Sequence, residues 1–345
     1  MNWQMPAESV RHDRTWMAFP REGQTLGDTV AEREAGYEAW AAVANTVAQF
    51  ESVSILVDPT ESSRARRLLD GAITQHEAPI DEFWLRDSGP TFVTDSARPG
   101  VLGAVDWIFN GWGDPEWSDW EKAAQHARLV ADLTGAEVVS SLMVNEGGGI
   151  HVDGEGTVLA TQTVQLDPRR NPYADRRRIE DELERTIGAT RTVWLPRGLT
   201  RDYDDFGTKG HVDIVAAIPT PGTMLLHAQP DSAHPDHEVM KGIREAISQQ
   251  SDAAGRQFTV VEVPAPAVLR DAHGYVDYSY INHLVVNGGV IACGFGDETA
   301  DTRAARILQD AYPGREVVTV DARELFARGG GIHCITQQQP AVGPR

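Results

Sequence analysis

Short apolar segments rich in β-branched residues alternate along the chain with segments rich in Ala, Arg and Glu that have helical character. Residues 53–57 (VSILV) predict a strand, and residues 62–69 predict a helix after it. The same alternation continues through residue 320. Further strands are predicted at 150–152, 157–162, 191–195, 223–227, 258–263, 290–293 and 316–320, and further helices at about 173–187, 235–250 and 298–312.

A Gly-rich or turn-forming segment opens each round of this alternation. These segments begin near residues 83, 145, 210, 280 and 329, about 50–70 residues apart. Residues 83–93 are predicted to run through a Phe-Trp-Leu strand into a turn at 88–90. Little chain follows the fifth segment, and we expect the predicted strand at 15–19 to complete that unit. The pattern predicts an α/β fold of five β-hairpin–helix–strand units in one domain, residues 1–345.

The net charge narrows the class of partner. The 345 residues include 31 Lys and Arg against 51 Asp and Glu, a formal net charge of −20. A nucleic-acid binder needs a basic face, and an anionic membrane surface attracts basic segments, so both partners are disfavoured. A cationic small molecule is compatible with this charge. We therefore expect no nucleic acid and no membrane as partner.

The first twenty residues and the cysteine content bear on the compartment. Residues 1–20 are polar and lack the apolar core of a signal peptide. No apolar run approaches the roughly 18 residues of a membrane span. The two cysteines, Cys293 and Cys334, can form neither a disulfide framework nor a four-thiolate zinc site. We predict a cytoplasmic protein.

Candidate catalytic residues lie at the starts of the predicted units: Asp87, Glu146, His211, Asp213 and Cys334. In a repeated fold, residues at equivalent unit starts converge on one axis. Cys334 follows three glycines and would act as a nucleophile in its thiolate form. His211 and Asp213 would share one face of a strand, and a histidine beside a carboxylate suits proton transfer near neutral pH.

Each candidate also has a purely structural interpretation. Asp87 could begin a turn, Glu146 could be a loop carboxylate, and Cys334 could be a small buried residue, as we expect of Cys293. Together, however, they pose a chemical question, because carboxylates near a cysteine raise its pKa and suppress the thiolate. A substrate with its own positive charge resolves this, and a guanidinium pairs with carboxylates through two hydrogen bonds.

Six blocks of the chain, in this order, resemble motifs of the agmatine deiminase family. That family belongs to the guanidino-group-modifying superfamily, with arginine deiminase, bacterial peptidylarginine deiminase and amidinotransferases. The blocks are residues 5–8 (MPAE) with 15–20 (TWMAFP), 84–91 (WLRDSGPT), 109–113 (FNGWG), 146–157 (EGGGIHVDGEGT), 210–213 (GHVD) and 330–338 (GGIHCITQQ). The resemblance extends over almost the whole chain.

The resemblance implies a fivefold pseudosymmetric α/β-propeller of ββαβ units. It implies Cys334 as nucleophile and His211 as general acid and base, with Glu146 orienting His211. Asp87 and Asp213 would hold the guanidinium. The implied reaction is hydrolysis of agmatine to N-carbamoylputrescine and ammonia, a step of polyamine synthesis, through a covalent amidino-cysteine intermediate. No metal and no organic cofactor is implied.

Some positions depart from the family pattern. Gly331 stands where the family usually has Asn, and Ile214 stands where Asn usually follows His-x-Asp. Phe19 replaces a usual Trp, and the segment 205–209 is unusual. These changes bear on the substrate more than on the reaction.

The end of the substrate remote from the guanidinium separates agmatine from arginine. Trp84 and Trp112 are expected either to contact an alkyl chain or ammonium group or to pack in the core. Arg86 and Arg201 are the candidates for reaching a carboxylate. The alternatives left open are deimination of arginine or peptidyl-arginine, amidino transfer to an amine and, least favoured, a non-enzymatic binding protein. The oligomeric state is open, a homo-oligomer included.

Overall fold

Strands and helices alternate along almost the whole chain, which the computed structural model describes from residue 2 to residue 343. The predicted domain boundaries at residues 1 and 345 lie outside the described residues. The strands are β1 (Trp3–Gln4), β2 (His12–Ala18), β3 (Val53–Val57), β4 (Thr74–Glu77), β5 (Thr91–Asp95), β6 (Leu102–Ile108), β7 (Glu137–Val144), β8 (Ile150–Val152), β9 (Thr157–Thr161), β10 (Arg191–Leu195), β11 (Ala216–Thr220), β12 (Thr223–Ala228), β13 (Thr259–Pro264), β14 (Arg270–Asp271), β15 (Gly274–Tyr275), β16 (Leu284–Val286), β17 (Gly289–Gly294), β18 (Glu316–Asp321) and β19 (Thr336–Pro340).

The helices lie between these strands, and most of the longer ones follow the second strand of a unit. They are α1 (Val30–Val47), α2 (Ser62–Leu68), α3 (Leu85–Ser88), α4 (His126–Thr134), α5 (Gln162–Gln165), α6 (Arg176–Ile187), α7 (Asp236–Ser248), α8 (Glu298–Ala311) and α9 (Arg323–Phe326). One-turn 3-10 helices lie at Pro59–Glu61, Ala123–Gln125, Gly147–Gly149, Arg201–Tyr203 and Val212–Ile214. Within the described residues, no helix is long and apolar enough to cross a bilayer.

Local sequence signals account for the ends of several helices. The Thr29 hydroxyl accepts a hydrogen bond from the Glu32 N–H, and the Glu32 carboxylate accepts one from the Thr29 N–H, so α1 begins with a capping box. The Asp175 side chain caps the start of α6, and Gly188 ends that helix in the left-handed region with φ 71°. These caps place the boundaries of α6 within the predicted segment 173–187.

Five sheets share one strand order, in which an antiparallel pair is followed by a parallel pair. β8 and β9 run antiparallel, α6 crosses back, and β10 pairs with β9 in parallel. Parallel neighbours need such a crossover. The same order recurs in β5-β6-β7 with α4, β11-β12-β13 with α7, β16-β17-β18 with α8, and β19-β2-β3 with α1. The expected mixed α/β class is confirmed.

The N-terminal strand completes the sheet of the last segment. β2 pairs antiparallel with β19, where Thr15 lies opposite Gln338, and parallel with β3, where Thr15 lies opposite Val53. The side chains add a direct link, because the Trp16 indole N–H donates to Gln339 Oε1 at 2.8 Å. The expectation that the strand at 15–19 joins the fifth unit is confirmed, with β2 beginning three residues earlier.

The structure corrects the prediction at residues 83–93. The predicted strand is instead a one-turn helix, α3, in which the N–H of Asp87 donates to the carbonyl oxygen of Trp84. β5 begins only after Pro90, which has no N–H with which to continue the turn. Trp84 packs edge-to-face on Trp40 with ring centroids 5.2 Å apart. The aromatic run therefore indicates burial rather than a strand.

Other elements have no counterpart among the predicted ones: α1, α4, β4, β6 and β7. α1 is rich in alanine, the best helix former, but alanine gives little apolar periodicity. β4 has no fully buried residue, so it lacks the continuous apolar run that marks the neighbouring β3. Composition alone therefore under-predicts both kinds of element.

Candidate active site

The predicted site residues lie just before the first strand of successive units. Asp87 precedes β5, Glu146 precedes β8, and Asp213 precedes β11. Cys334 precedes β19, and Asn282 has the equivalent place before β16. The side chains of all five are buried. Because the units repeat, this shared position brings residues from the whole length of the chain together.

Cys334 lies between an acid and an amide. Its Sγ is 3.3 Å from Asp213 Oδ2, to which the thiol donates, and 3.2 Å from the Asn282 Nδ2 group that donates to it. Burial, followed by the charges of Asp213 and Asp87, raises the pKa of the Cys334 thiol well above its ordinary value. The cysteine is therefore a neutral thiol in the unliganded protein.

His211 lies between two carboxylates. Its Nε2 is 3.4 Å from Glu146 Oε2, and its Nδ1 is 3.7 Å from Asp87 Oδ1. Burial opposes the charged ring, but Asp87 and Glu146 outweigh burial and raise the pKa of His211 to about 9. The ring is an imidazolium at neutral pH and can give up a proton.

Arg170 fixes the carboxylate behind His211. Its Nε donates to Glu146 Oε1 at 2.8 Å, and both side chains are fully buried. Burial would raise the pKa of Glu146, but Arg170 and His211 lower it to about 2. Glu146 therefore stays ionised at every pH of interest and holds His211 in place.

The negative charge of Asp87 is balanced less well by neighbouring cations than the charges of Glu146 and Asp213 are. Its Oδ2 accepts from the Trp112 indole N–H and its Oδ1 from the Gly148 N–H, each at 2.9 Å. Burial, opposed by His211, raises the pKa of Asp87 to about 6. A Cβ on Gly148 would lie 2.6 Å from His211 Nδ1 and 2.8 Å from Asp87 Oδ1, so only glycine fits between these groups.

Two buried polar atoms in this cluster have no hydrogen-bond partner within residues 2–343. They are His211 Nδ1 and Asp213 Oδ1. Buried polar groups are rarely left unpaired, and an unpaired one in a native protein calls for an explanation. A donor-rich ligand beside Cys334 would satisfy the Asp213 oxygen.

The structure separates the two tryptophans predicted to bind substrate. Trp112 lines a cavity of about 490 Å³ together with Trp117 and Phe206, and its ring stacks on Trp117 at 5.7 Å. Trp84 lies in the core between Trp40 and Phe83. A larger groove of about 790 Å³ contains none of the predicted site residues.

Neither arginine considered as a carboxylate anchor is available for that role. Arg201 pairs with Asp271 at 2.6 Å. Arg86 is 1% exposed and lies beneath the site, with Nη1 3.6 Å from Glu8 Oε1. Both guanidinium groups therefore already lie beside carboxylates of the protein, although Arg86 Nη2 has no hydrogen-bond partner within the described residues.

Several residues that shape the site were not predicted from the sequence. Asp202 accepts hydrogen bonds from the N–H groups of Thr208, Gly210 and His211, and so fixes the backbone that carries His211. Arg170, Asn282 and His333 contact the predicted set, and Glu8 contacts His333. Asn282 and His333 carried a signal, since they lie in the segments predicted to open the fourth and fifth units, and Glu8 lies in the first block that resembles the family.

Asn282 also explains why glycine occupies position 331. A Cβ on Gly331 would lie 2.4 Å from Asn282 Oδ1 and 2.7 Å from the Phe326 ring. The Asn282 amide fills that space, accepts the His333 N–H at 2.9 Å and donates to Cys334. An asparagine side chain, which the family pattern described above has at position 331, has no room here. The amide of Asn282, from another unit, lies in its place.

The chain is similar to one group of known proteins. Residues 4–340 match the family model of Porphyromonas-type peptidyl-arginine deiminases. A Streptomyces coelicolor protein provisionally named agmatine deiminase is 53% identical over 342 residues, 99% of each chain. The agmatine deiminase of Stutzerimonas stutzeri is 37% identical over 360 residues, which cover 98% of this chain and 95% of that one. The solved agmatine deiminase of Enterococcus faecalis has a TM-score of 0.91 at 30% identity, over 99% of this chain and 97% of that one.

Replacing Gly331 with Ala is expected to lower the free energy of unfolding by about 1–3 kcal/mol, because the added Cβ overpacks the space filled by Asn282. Gly242→Ala is the matched control. Gly242 lies within α7 with no atom within 4 Å of an added Cβ, so that change is expected to be neutral or stabilising. Urea unfolding of both variants measures the difference. Equal midpoints for Gly331→Ala and wild type would mean that Asn282 moves aside without cost.

Proposed function

Because this chain belongs to the Porphyromonas-type peptidyl-arginine deiminase family, we propose that it hydrolyses agmatine to N-carbamoylputrescine and ammonia, as the names of its relatives indicate. One observation carries the proposal. A buried thiol lies 3.3 Å from an ionised carboxylate, Asp213, whose other oxygen has no hydrogen-bond donor within the described residues. A guanidinium supplies donors for that oxygen and a positive charge beside the thiol.

Substrate binding is what activates the thiol. A guanidinium held between Asp87 and Asp213 neutralises the two charges that raise the pKa of Cys334. The thiol then loses its proton to solvent and becomes a nucleophile only when a substrate is present. Because the free protein holds Cys334 as a neutral thiol, this residue reacts slowly with other electrophiles when no substrate is bound.

The first half of the reaction forms a bond from Cys334 Sγ to the central guanidinium carbon. The π electrons of the C=N bond move onto nitrogen, which gives a tetrahedral adduct. His211, an imidazolium at neutral pH, gives its proton to the leaving nitrogen. The C–N bond breaks with its electron pair on nitrogen, ammonia leaves, and an amidino thioether remains on Cys334.

The second half uses the neutral His211 left by the first. The imidazole takes a proton from a water molecule, whose oxygen attacks the amidino carbon. The C–S bond of the second adduct breaks with its electron pair on sulfur. The carbonyl of the urea group forms as the hydroxyl proton passes to that sulfur, which restores the Cys334 thiol. Glu146 holds His211 in position for both proton transfers.

The cavity beyond Asp87 favours a cationic tail. Its lining includes Glu116 and Asp205, exposed carboxylates that have no ion-pair partner in the described part of the chain. Lys209 and Arg169 also line it, but the Lys209 ammonium donates to the carbonyl oxygens of Tyr203 and Asp204, and Arg169 Nη2 donates to that of Asp114. The aromatic wall of Trp112 suits an alkyl chain. This lining matches agmatine better than arginine, whose carboxylate would meet unpaired acids.

The architecture and setting of the enzyme are part of the proposal. The repeated antiparallel-then-parallel strand order, with β19 joined to β2, supports a closed fivefold α/β-propeller formed as one catalytic domain. A reaction without metal or organic cofactor is consistent with a site whose nucleophile, acid and carboxylates are all protein groups. The cytoplasmic location and a homo-oligomeric state stay predictions.

Cys334→Ala is expected to lower kcat by at least about 10³-fold, because no other thiol lies at the site and a nucleophile is worth several powers of ten. Mass spectrometry of wild-type protein quenched during turnover should find the amidino adduct on the peptide that contains Cys334. Cys293→Ser is the matched control, since Cys293 is buried in β17 and a serine hydroxyl can keep its hydrogen bond to the Asn282 carbonyl oxygen. Normal turnover by Cys334→Ala would exclude the covalent route.

Asp87→Asn and Asp213→Asn are each expected to cost about 3–5 kcal/mol in kcat/KM, because each leaves one side of a buried guanidinium unpaired. The wild-type pH profile gives a second check. The pKa of Asp87 is raised to about 6, so kcat/KM should fall as the pH drops through about 6 and Asp87 takes up a proton. Near-normal kinetics in both variants would contradict the assignment.

Agmatine is expected to have a higher kcat/KM than arginine or 4-guanidinobutyrate, which carry a carboxylate at the remote end. The double change Glu116→Gln with Asp205→Asn should raise KM for agmatine several-fold and leave butylguanidine, which has no ammonium, unaffected. Asp204→Asn is the control, because Asp204 is exposed but does not line the cavity. If arginine or the butyrate equals agmatine, the substrate assignment fails while the deiminase chemistry survives.

A further inference from the structure

A second histidine lies behind the site with a carboxylate at each end of its ring. His333 Nδ1 is 2.9 Å from Asp213 Oδ2, and His333 Nε2 is 2.9 Å from Glu8 Oε1. All three side chains are buried. The result is a continuous hydrogen-bonded row from Glu8 through His333 and Asp213 to the Cys334 thiol.

The geometry fixes the protonation state of this ring. Both partners of His333 are acceptors when ionised, so both ring nitrogens must donate, and only the imidazolium has two N–H groups. Burial and Arg86 oppose the charge, but Glu8 and Asp213 outweigh them and raise the pKa of His333. The same contacts lower the pKa of Asp213, which burial alone would raise.

Glu8 is held from its other side as well. Its Oε1 is 3.6 Å from Arg86 Nη1 and 3.8 Å from His151 Nδ1. Burial would raise the pKa of Glu8, but the cations around it lower it well below its usual range. The groups that face His333 from the packed elements are Glu8 before β2, Arg86 on α3, His151 on β8, Asp213 before β11, His283 before β16 and the adjacent Cys334.

We propose that Glu8 and His333 are positioning residues of this reaction: Glu8 keeps His333 as an imidazolium, and that charge allows Asp213 to stay ionised beside Cys334 without suppressing the thiol further. The inference rests on the proposed function. Neither residue touches the substrate. They act through the one carboxylate that contacts both the thiol and the expected guanidinium.

The positions of the His333 and Glu8 charges relative to the Cys334 thiol decide whether their loss favours or disfavours the thiolate. The positive ring lies nearer to the thiol than the negative Glu8 does, because His333 is adjacent to Cys334 and contacts its carboxylate neighbour directly. Removing the pair of charges removes positive potential at Sγ, which makes the thiolate harder to form. It also makes the pocket slightly more attractive to a cation. Catalysis should therefore suffer while substrate binding does not.

The same three side chains, Glu8, His151 and His333, have ligand atoms within 4.8 Å of one another, the spacing of a metal site. Arg86 lies against the same Glu8 oxygen, and a guanidinium next to a divalent cation is strongly disfavoured. Both nitrogens of His333 are also already engaged by carboxylates. An imidazolium ring satisfies these contacts and a metal ion does not.

The test compares Glu8→Gln with wild type for agmatine turnover between pH 6 and pH 9. The variant lowers the pKa of His333, so at low pH the ring is charged in both proteins and at higher pH only in the wild type. We expect the ratio of wild-type to variant kcat to grow about tenfold or more as the pH rises through that window. KM for agmatine should be unchanged or lower, and Glu8→Asp should restore part of kcat.

Glu51→Gln is the matched control. Glu51 also forms a buried pair, with His12 at 3.2 Å. His12 Nε2 donates to the Glu8 backbone carbonyl at 2.9 Å and does not contact the Glu8 carboxylate, so the change leaves the row from Glu8 to Cys334 in place. It should affect stability and leave the shape of the pH profile unchanged. A Glu8→Gln variant whose kcat falls equally at all pH values, or whose KM rises with it, would reduce Glu8 to a structural residue and overturn the proposal.

A direct measurement covers the case in which Glu8→Gln does not fold. The ¹⁵N chemical shifts of the wild-type histidines at pH 7.5 should show both nitrogens of His333 protonated. A neutral His333, or a stoichiometric metal ion found by elemental analysis, would overturn the inference. Wild-type protein that releases no ammonia from agmatine would instead contradict the proposed function, and the ¹⁵N result would still stand.

Discussion

Carboxylates buried around a thiol are the constraint on which the rest of the structure depends. Each of them needs a partner, because an unpaired buried charge costs several kcal/mol. Arg170 compensates Glu146, and His333 compensates Asp213, in both cases from the side that faces away from the open space. Within residues 2–343, the ion-pair partner of Asp87 is His211, which it shares with Glu146. Asp87 is therefore the carboxylate with the least positive charge of its own, and a cationic substrate would supply more.

This arrangement also explains the distribution of glycine and amide groups near the thiol. Gly148 has no side chain because three charged groups converge on the point where its Cβ would lie. At position 331, the room for a side chain is taken by Asn282, which comes from a different unit. The amide that contacts the thiol therefore comes from the segment before β16 and not from position 331.

The sequence predicted best what depends on neighbouring residues. β3 and β10 match the predicted segments at both ends, since each is a short apolar run bounded by polar residues. α3 was predicted wrongly because aromatic residues packed in the core resemble a strand. The sequence predicted those residues of the candidate site that lie at equivalent positions in the repeated units. The contact between Glu8 and His333 could not be predicted, although both lie in blocks that resemble the family, because it joins positions 325 apart and no periodicity encodes it.

The pairing of β2 with β19 has a consequence for how the chain is made. Trp16 and Gln339 form a hydrogen bond across 323 positions, so the sheet that carries Cys334 needs strands from opposite ends of the described chain. Synthesis runs from the N-terminus, and β2 exists for most of that time with one edge unpaired. During translation that edge is a template for association with another chain, unless a chaperone or the neighbouring helices cover it. A polypeptide that has not yet been extended through β19 cannot consume substrate, because Cys334 and the strand that follows it are still missing.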